Sequence, residues 1–209
     1  MARKTIRVGL VGAGFAGRAH NLAYSNVPLM YPGTPRVERV RIFDVTRPLA
    51  EASASQLGWQ EATDDWQAIT RSDDIDLVDI CTPGNLHCEM GVAAARAKKH
   101  ILCEKPLAIT VPEAKKMLAA AEKAGIRHFV MHNYRRAPAI ALAKRFIEEG
   151  RIGKIHHFWA RYLQDWAMSP ELPRIWRFDK AQTGSGALGD LGSHIIDLAR
   201  FLCGEIREV

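Results

Sequence analysis

The tightest constraint on the fold lies in residues 6–17. An apolar run, Ile6-Arg7-Val8-Gly9-Leu10-Val11, leads into Gly12-Ala13-Gly14-Phe15-Ala16-Gly17, and a helical pattern continues to about Ser25. A short apolar run bounded by glycine reads as a strand buried on both faces, as in a parallel sheet. The first glycine of such a turn permits the tight bend, the second lets backbone approach a pyrophosphate, and the third lets helix and strand pack closely. The helix start then offers unpaired N–H groups to the phosphate charge. The glycine spacing alone is a weak signal, but strand before and helix after supply the confirming context for a dinucleotide site. Gly12, Ala13, Gly14, Phe15 and Ala16 are its expected contacts.

The same alternation continues. Val37–Phe43 reads as a second strand, Arg47–Leu57 as helix, Asp76–Ile80 as strand, His87–Lys98 as helix and His100–Cys103 as strand. Pro112–Ala124 follows as a helix stopped by Gly125, and Ile126–Met131 as a strand. Strands alternating with helices through short links specify a doubly wound parallel sheet. Ala137–Glu149 reads as a helix closed by Gly150, and Ile155–Tyr162 alternates like a strand with one wetter face. An irregular stretch rich in Trp, Arg, Pro and Gly runs from Gln164 to Gly186, before a helix from about Ala187 to Leu202. The expected division is a dinucleotide-binding domain over 1–134 and the N-terminal part of a second α/β domain over 135–209. A lone strand with one helix leaves a sheet face and an edge uncovered, so that second domain is expected to be incomplete in this chain or completed by another chain.

Composition excludes several classes. The net charge of +6 is spread without a basic tail or run, which argues against nucleic acid as a partner. No stretch approaches the roughly 20 apolar residues that cross a bilayer, and no secretory apolar core follows the start, so a cytoplasmic protein is expected. Cys81, Cys88, Cys103 and Cys203 lack paired zinc spacing and read as reduced thiols, and no metal site is expected.

Further candidates sit at strand ends, where open α/β sheets bind ligands. Asp44 ends the second strand, placed to bond the ribose hydroxyls of NAD and repel a 2′-phosphate, although farther from the glycines than the usual separation of about 20 residues. Arg47 nearby leaves room for NADP. Thr82, Pro83 and Asn85 follow the third predicted strand and would line the cofactor cleft; His87 reads first as a packing or capping group and second as a cofactor contact. Glu104-Lys105-Pro106 follows Cys103 directly, and proline restricts the residue before it, which holds Lys105 in a set pose toward the reactive end of a nicotinamide. Asp190, His194 and Asp197 share one face of the last predicted helix.

These motifs together resemble the glucose–fructose oxidoreductase/inositol dehydrogenase (Gfo/Idh/MocA) family of NAD(P)-dependent sugar and cyclitol oxidoreductases. The resemblance rests on the glycine turn with His20, Cys81-Thr82-Pro83 with His87, Glu104-Lys105-Pro106, Asn133-Tyr134-Arg135, and Gly186 to His194 with Asp197. Tyr162-Leu163-Gln164-Asp165-Trp166 with Trp176-Arg177 resembles the levoglucosan dehydrogenase-like branch. The resemblance implies a Rossmann domain followed by an open-sheet α/β domain, with Lys105 as the active-site lysine and Asp190 with His194 as the acid/base pair. It also implies a cis peptide before Pro106 and cofactor contacts from Glu104, Lys105 and Asn133. A sugar or polyol substrate would meet Lys105, Asp190 and His194, the rings of Tyr162, Trp166 and Trp176, and the polar groups of Arg135, Gln164 and Arg177. Family members are usually longer, so a homo-oligomer is expected of a full-length form. The competing expectation is a non-catalytic nucleotide-binding fragment.

Overall fold

A computed structural model describes residues 4–209; the short lead-in ahead of Lys4 lies outside the described residues. The chain divides into two compact units, the first ending at Val130 and the second spanning Met131–Val209.

The first unit is built on six parallel strands: β1 (Thr5–Val11), β2 (Arg36–Phe43), β3 (Glu61–Thr63), β4 (Leu77–Ile80), β5 (His100–Cys103) and β6 (His128–Val130). They lie in the order β3-β2-β1-β4-β5-β6. The chain winds outward from β1 in one direction and then from β4 in the other. The strand order therefore reverses beside the carboxyl end of β1, the place where such sheets bind ligands. Val8, Leu10, Val11, Ile42, Val78 and Ile80 have no solvent exposure, which is the doubly covered condition their apolar sequences require.

Five helices connect these strands: α1 (Phe15–Met30), α2 (Arg47–Leu57), α3 (Trp66–Arg71), α4 (Gly84–Arg96) and α5 (Val111–Ala124). Helix α5 opens with a capping box, in which Thr110 accepts the Glu113 N–H and Glu113 accepts the Thr110 N–H, and it stops at left-handed Gly125. Helix α1 extends to Met30, beyond the expected Ser25, with Pro28 inside its last turn. Strand β3 and helix α3 were not foreseen. Each is short, three and six residues, and too brief to display a hydrophobic period.

The second unit holds α6 (Pro138–Glu148), α7 (Lys180–Thr183) and α8 (Ser193–Cys203), with a wide turn of π type over Leu188–Gly192 leading into α8. The expected strand at Ile155–Tyr162 is irregular, and none of the described residues of this unit is in a sheet. An alternation of exposed and half-buried residues persists from His157 to Tyr162, but a strand exists only through ladder hydrogen bonds to a neighbour, and no neighbouring strand lies in this unit.

Candidate active site

At the carboxyl end of β1 the chain turns at Gly12, whose φ of +103° is a conformation that side chains disfavour. A Cβ there would press on the Cys81 carbonyl oxygen at 2.9 Å, so the loops after β1 and β4 touch. A Cβ on Gly17 would collide with the Gly12 carbonyl oxygen, while one on Gly14 would meet nothing within 4 Å. Gly14 is the N-cap of α1, no side chain caps that helix, and its first turn holds no acidic residue. An open approach to uncapped backbone N–H groups fits a dinucleotide's pyrophosphate. Ala13 is buried and Phe15 exposed.

Asp44 stands just past β2, with Oδ1 accepting the Val45 N–H at 2.8 Å. Arg47 is occupied by an ion pair to Glu51. Thr82, Pro83 and Asn85 form the entry to α4, with Pro83 as its N-cap. His87 is 1 % exposed. Its Nδ1 lies 2.9 Å from the Pro106 carbonyl oxygen and its Nε2 2.8 Å from that of Thr82. Burial pushes this imidazole toward its neutral form, against the pull of the two carbonyls. The buried ring fills the space between the loop after β4 and the loop after β5; when neutral it donates to one of the two carbonyls at a time.

The Lys105–Pro106 peptide is cis. Glu104 turns inward: Oε2 accepts the Lys105 N–H at 3.0 Å and Oε1 lies 3.1 Å from His20 Nε2. On the other side of that ring, Nδ1 sits 3.0 and 2.9 Å from the two oxygens of Asp79, which is fully buried in β4. Tyr24 donates its hydroxyl to Asp79 at 2.6 Å. Burial opposes a charged His20, but hydrogen bonds to Asp79 and Glu104 outweigh it and lift its pKa to about 10. Burial likewise opposes ionisation of Glu104, and the His20 hydrogen bond and charge reverse this, leaving its pKa below the usual range. Burial raises the Cys81 thiol well above its ordinary value, helped by the nearby Asp79 and Glu104 charges. His20, Asp79 and Cys81 each bring one donor atom within 4.8 Å of one another. The sequence reading missed Asp79 and Tyr24. The available signal was a carboxylate inside the apolar strand Leu77-Val78-Asp79-Ile80, which burial forces to find a partner.

In the second unit, His194 is 6 % exposed and stacks on Tyr134, with centroids 4.2 Å apart and planes at 20°. His132 and Tyr162 approach its edges at 6.2 and 6.0 Å. The Tyr134 and Tyr162 hydroxyls share a 2.5 Å hydrogen bond, which with burial lifts the Tyr134 phenol to about 12. Gln164 Nε2 donates to the Tyr162 hydroxyl and Trp166 Nε1 donates to Gln164 Oε1, both at 2.9 Å. Tyr162, Gln164 and Trp166 are therefore one hydrogen-bonded chain ending at the ring that covers His194. Asp190 is half-buried with Arg177 3.7 Å away, and Arg177 stacks on Trp176. Arg135 is held by a two-pronged bond to Asp197, so its guanidinium serves that buried carboxylate. Asn133 opens the short turn Asn133–Arg136 and is exposed.

Comparison with known proteins agrees with this architecture. The profile described as "Oxidoreductase family, NAD-binding Rossmann fold" matches residues 6–132, and that of the GFO/IDH/MocA C-terminal domain matches residues 140–209. The chain belongs to the Gfo/Idh/MocA oxidoreductase family. It is 48% identical over 207 residues to a levoglucosan dehydrogenase of Pseudarthrobacter phenanthrenivorans, covering 99% of this chain and 53% of that protein. A solved levoglucosan dehydrogenase in complex with NADH and levoglucosan superposes with a TM-score of 0.94 at 49% identity, over 97% of this chain and 55% of that one. An oxidoreductase domain protein from Kribbella flavida gives 0.92 at 46% identity, over 96% and 53%. The chain thus spans about half the length of the relatives it matches. Among the described residues, no helix is long and apolar enough to cross a membrane.

Proposed function

We propose that this protein binds NAD and oxidises a secondary alcohol of a sugar, anhydrosugar or cyclitol. The observation that carries the proposal is the placement, at the carboxyl ends of β1, β2 and β5 of one parallel sheet, of the open Gly14 turn, Asp44 and Lys105 in a member of this family. The uncapped start of α1 with Gly12, Ala13, Gly14, Phe15 and Ala16 would hold the pyrophosphate, and Asp44 the adenosine ribose, disfavouring NADP. When bound, the nicotinamide supplies the hydride acceptor.

Residue roles follow from chemistry. The Lys105 ammonium donates to the reacting oxygen and stabilises its developing negative charge. His194 takes the hydroxyl proton on a ring nitrogen, since an imidazole changes charge near neutral pH. The Tyr134 stack holds the plane of that ring, and Asp190 favours its charged form. Tyr162, Gln164 and Trp166 offer an apolar face edged with polar groups, a surface suited to a sugar; Trp176 and Arg177 extend it. Residues 1–134 would serve the cofactor and 135–209 the substrate, within an α/β domain that a longer form shares in a homo-oligomer. Free thiols and nicotinamide chemistry suit the cytoplasm.

The test is a fluorescence titration with NADH and NADPH, followed by NAD-dependent turnover on levoglucosan, inositols and aldoses. NADH binding with turnover of a polyol supports the proposal. NADH binding without turnover favours the second reading, a nucleotide-binding fragment, which the half-length coverage of its relatives keeps open. Failure to bind either nucleotide overturns both.

A further inference from the structure

The strongest unassigned feature of the first unit is the polar cluster beneath the Lys105 loop. Both nitrogens of His20 face carboxylates, Asp79 at 2.9 Å and Glu104 at 3.1 Å. The remaining oxygen of Glu104 accepts the Lys105 backbone N–H. We propose that His20 is a positioning residue for Lys105: by holding Asp79 on one ring nitrogen and Glu104 on the other, it keeps the Glu104 side chain turned inward to fix the backbone that presents the lysine. The proposal rests on the reading of Lys105 as the reacting lysine.

The chemistry requires a cation at His20. A neutral imidazole donates from one nitrogen only, so it would leave one buried carboxylate facing a lone pair. The imidazolium donates to both and offsets one of the two negative charges. Three segments then meet in one charged node: α1 through His20, β4 through Asp79, and the loop after β5 through Glu104. The groups facing His20 are Asp79 and Glu104, with Cys81 Sγ 3.3 Å from Nδ1 and the Tyr24 hydroxyl bonded to Asp79. Tyr24 and Cys81 are both shifted upward by burial and stay neutral, so they add no charge to the node. The far flank of Lys105 is packed separately, where the Pro106 carbonyl lies 2.9 Å from Nδ1 of the buried His87 ring. A lysine held at both neighbours moves little, and displacement of a catalytic group by about 1 Å costs on the order of 10²-fold in rate.

His20, Asp79 and Cys81 also satisfy the distances for a metal site. The ion-pair reading is favoured because both ring nitrogens are already engaged, Nδ1 at hydrogen-bond distance from both Asp79 oxygens and Nε2 from Glu104 Oε1.

The test has three readouts on the full chain. Nitrogen-15 NMR of the His20 ring should show both nitrogens protonated from pH 6 to 9; a neutral ring at pH 7.5 overturns the proposal. His20→Gln, and the milder Glu104→Gln, should change the acetylation rate of Lys105, read by mass spectrometry, at least about threefold while NADH affinity changes less; both variants labelling like the parent overturns it. Where the parent turns over a polyol, both variants should lose about 10²-fold in kcat with KM little changed. Absence of turnover in the parent defeats the functional reading alone, because the ring nitrogens and the Lys105 labelling still decide the positioning role. Tight binding of Co²⁺ with a thiolate charge-transfer band would make the cluster a metal site and overturn the proposal.

Discussion

The ring of Tyr134 lies flat against that of His194, centroids 4.2 Å apart, and its hydroxyl is bonded at 2.5 Å to that of Tyr162. One side chain therefore both sets the plane of the candidate base and anchors the polar chain through Gln164 to Trp166. Tyr134→Phe keeps the stack and cuts the chain, with an expected stability loss of about 1 kcal/mol and a rise in KM for a polyol. Tyr134→Ala also loses the stack, about 0.5–1.5 kcal/mol more beyond its burial, and should lower kcat. Urea unfolding and steady-state kinetics separate the two.

Gly14 and Gly17 should respond differently to the same methyl group. Gly17→Ala collides with the Gly12 carbonyl and is expected to lower Tm as well as NADH affinity. Gly14→Ala points into open space, so Tm should hold while NADH binding weakens at least about tenfold, since the methyl group occupies the approach to the uncapped helix start. Thermal melts and NADH titration check both; unchanged NADH affinity in Gly14→Ala would place the pyrophosphate elsewhere.

Arg135 should prove structural before it proves a substrate contact. Its two bonds satisfy Asp197, which is 7 % exposed. Arg135→Ala removes both close donors and leaves that carboxylate only His132 Nδ1, 3.9 Å away, with an expected cost of about 1–3 kcal/mol in urea unfolding. Arg135→Lys should recover little of it, because an ammonium cannot reproduce the two-pronged geometry.

The charged state of His20 predicts a pH dependence of stability. Its folded pKa of about 10 lies above the ordinary 6.5. The stabilisation is therefore fully present below about pH 6.5, where both states carry the proton, and is lost progressively as pH rises toward 10. Urea unfolding between pH 6 and 10 should show this alkaline decline in the parent and a flatter profile in His20→Gln.

Thiol reactivity should single out one cysteine. Cys81 and Cys103 have their thiols pushed upward chiefly by burial, and Cys88 is also buried, whereas Cys203 is exposed. Ellman's reagent on the native chain should release about one fast equivalent, with the others appearing on unfolding. Fast loss of Cys81 would show that the node beneath Lys105 opens readily.

Local chemistry made much of the first unit legible. The glycine turn, the apolar strands and the stop at Gly125 each depend on neighbours in sequence, and they led to the doubly wound sheet and the ligand-binding strand ends. The identities of Lys105, Asp190 and His194 as candidate groups were legible for the same reason, as residues of chemical kind in recognisable motifs. What adjacency cannot encode came from the tertiary structure. The alternation at Ile155–Tyr162 became no strand, because a strand is defined by a partner's hydrogen bonds. Glu104, expected at the cofactor, turned inward because His20, 84 residues earlier in the chain, offers its carboxylate a buried cation. Arg135, expected at the substrate, went to Asp197, because a carboxylate removed from water must be paired. The sequence alone determined which groups could do chemistry and the sheet that carries the first of them; only folding decided which charges neutralise one another, because burial makes that choice and burial is a property of the whole chain.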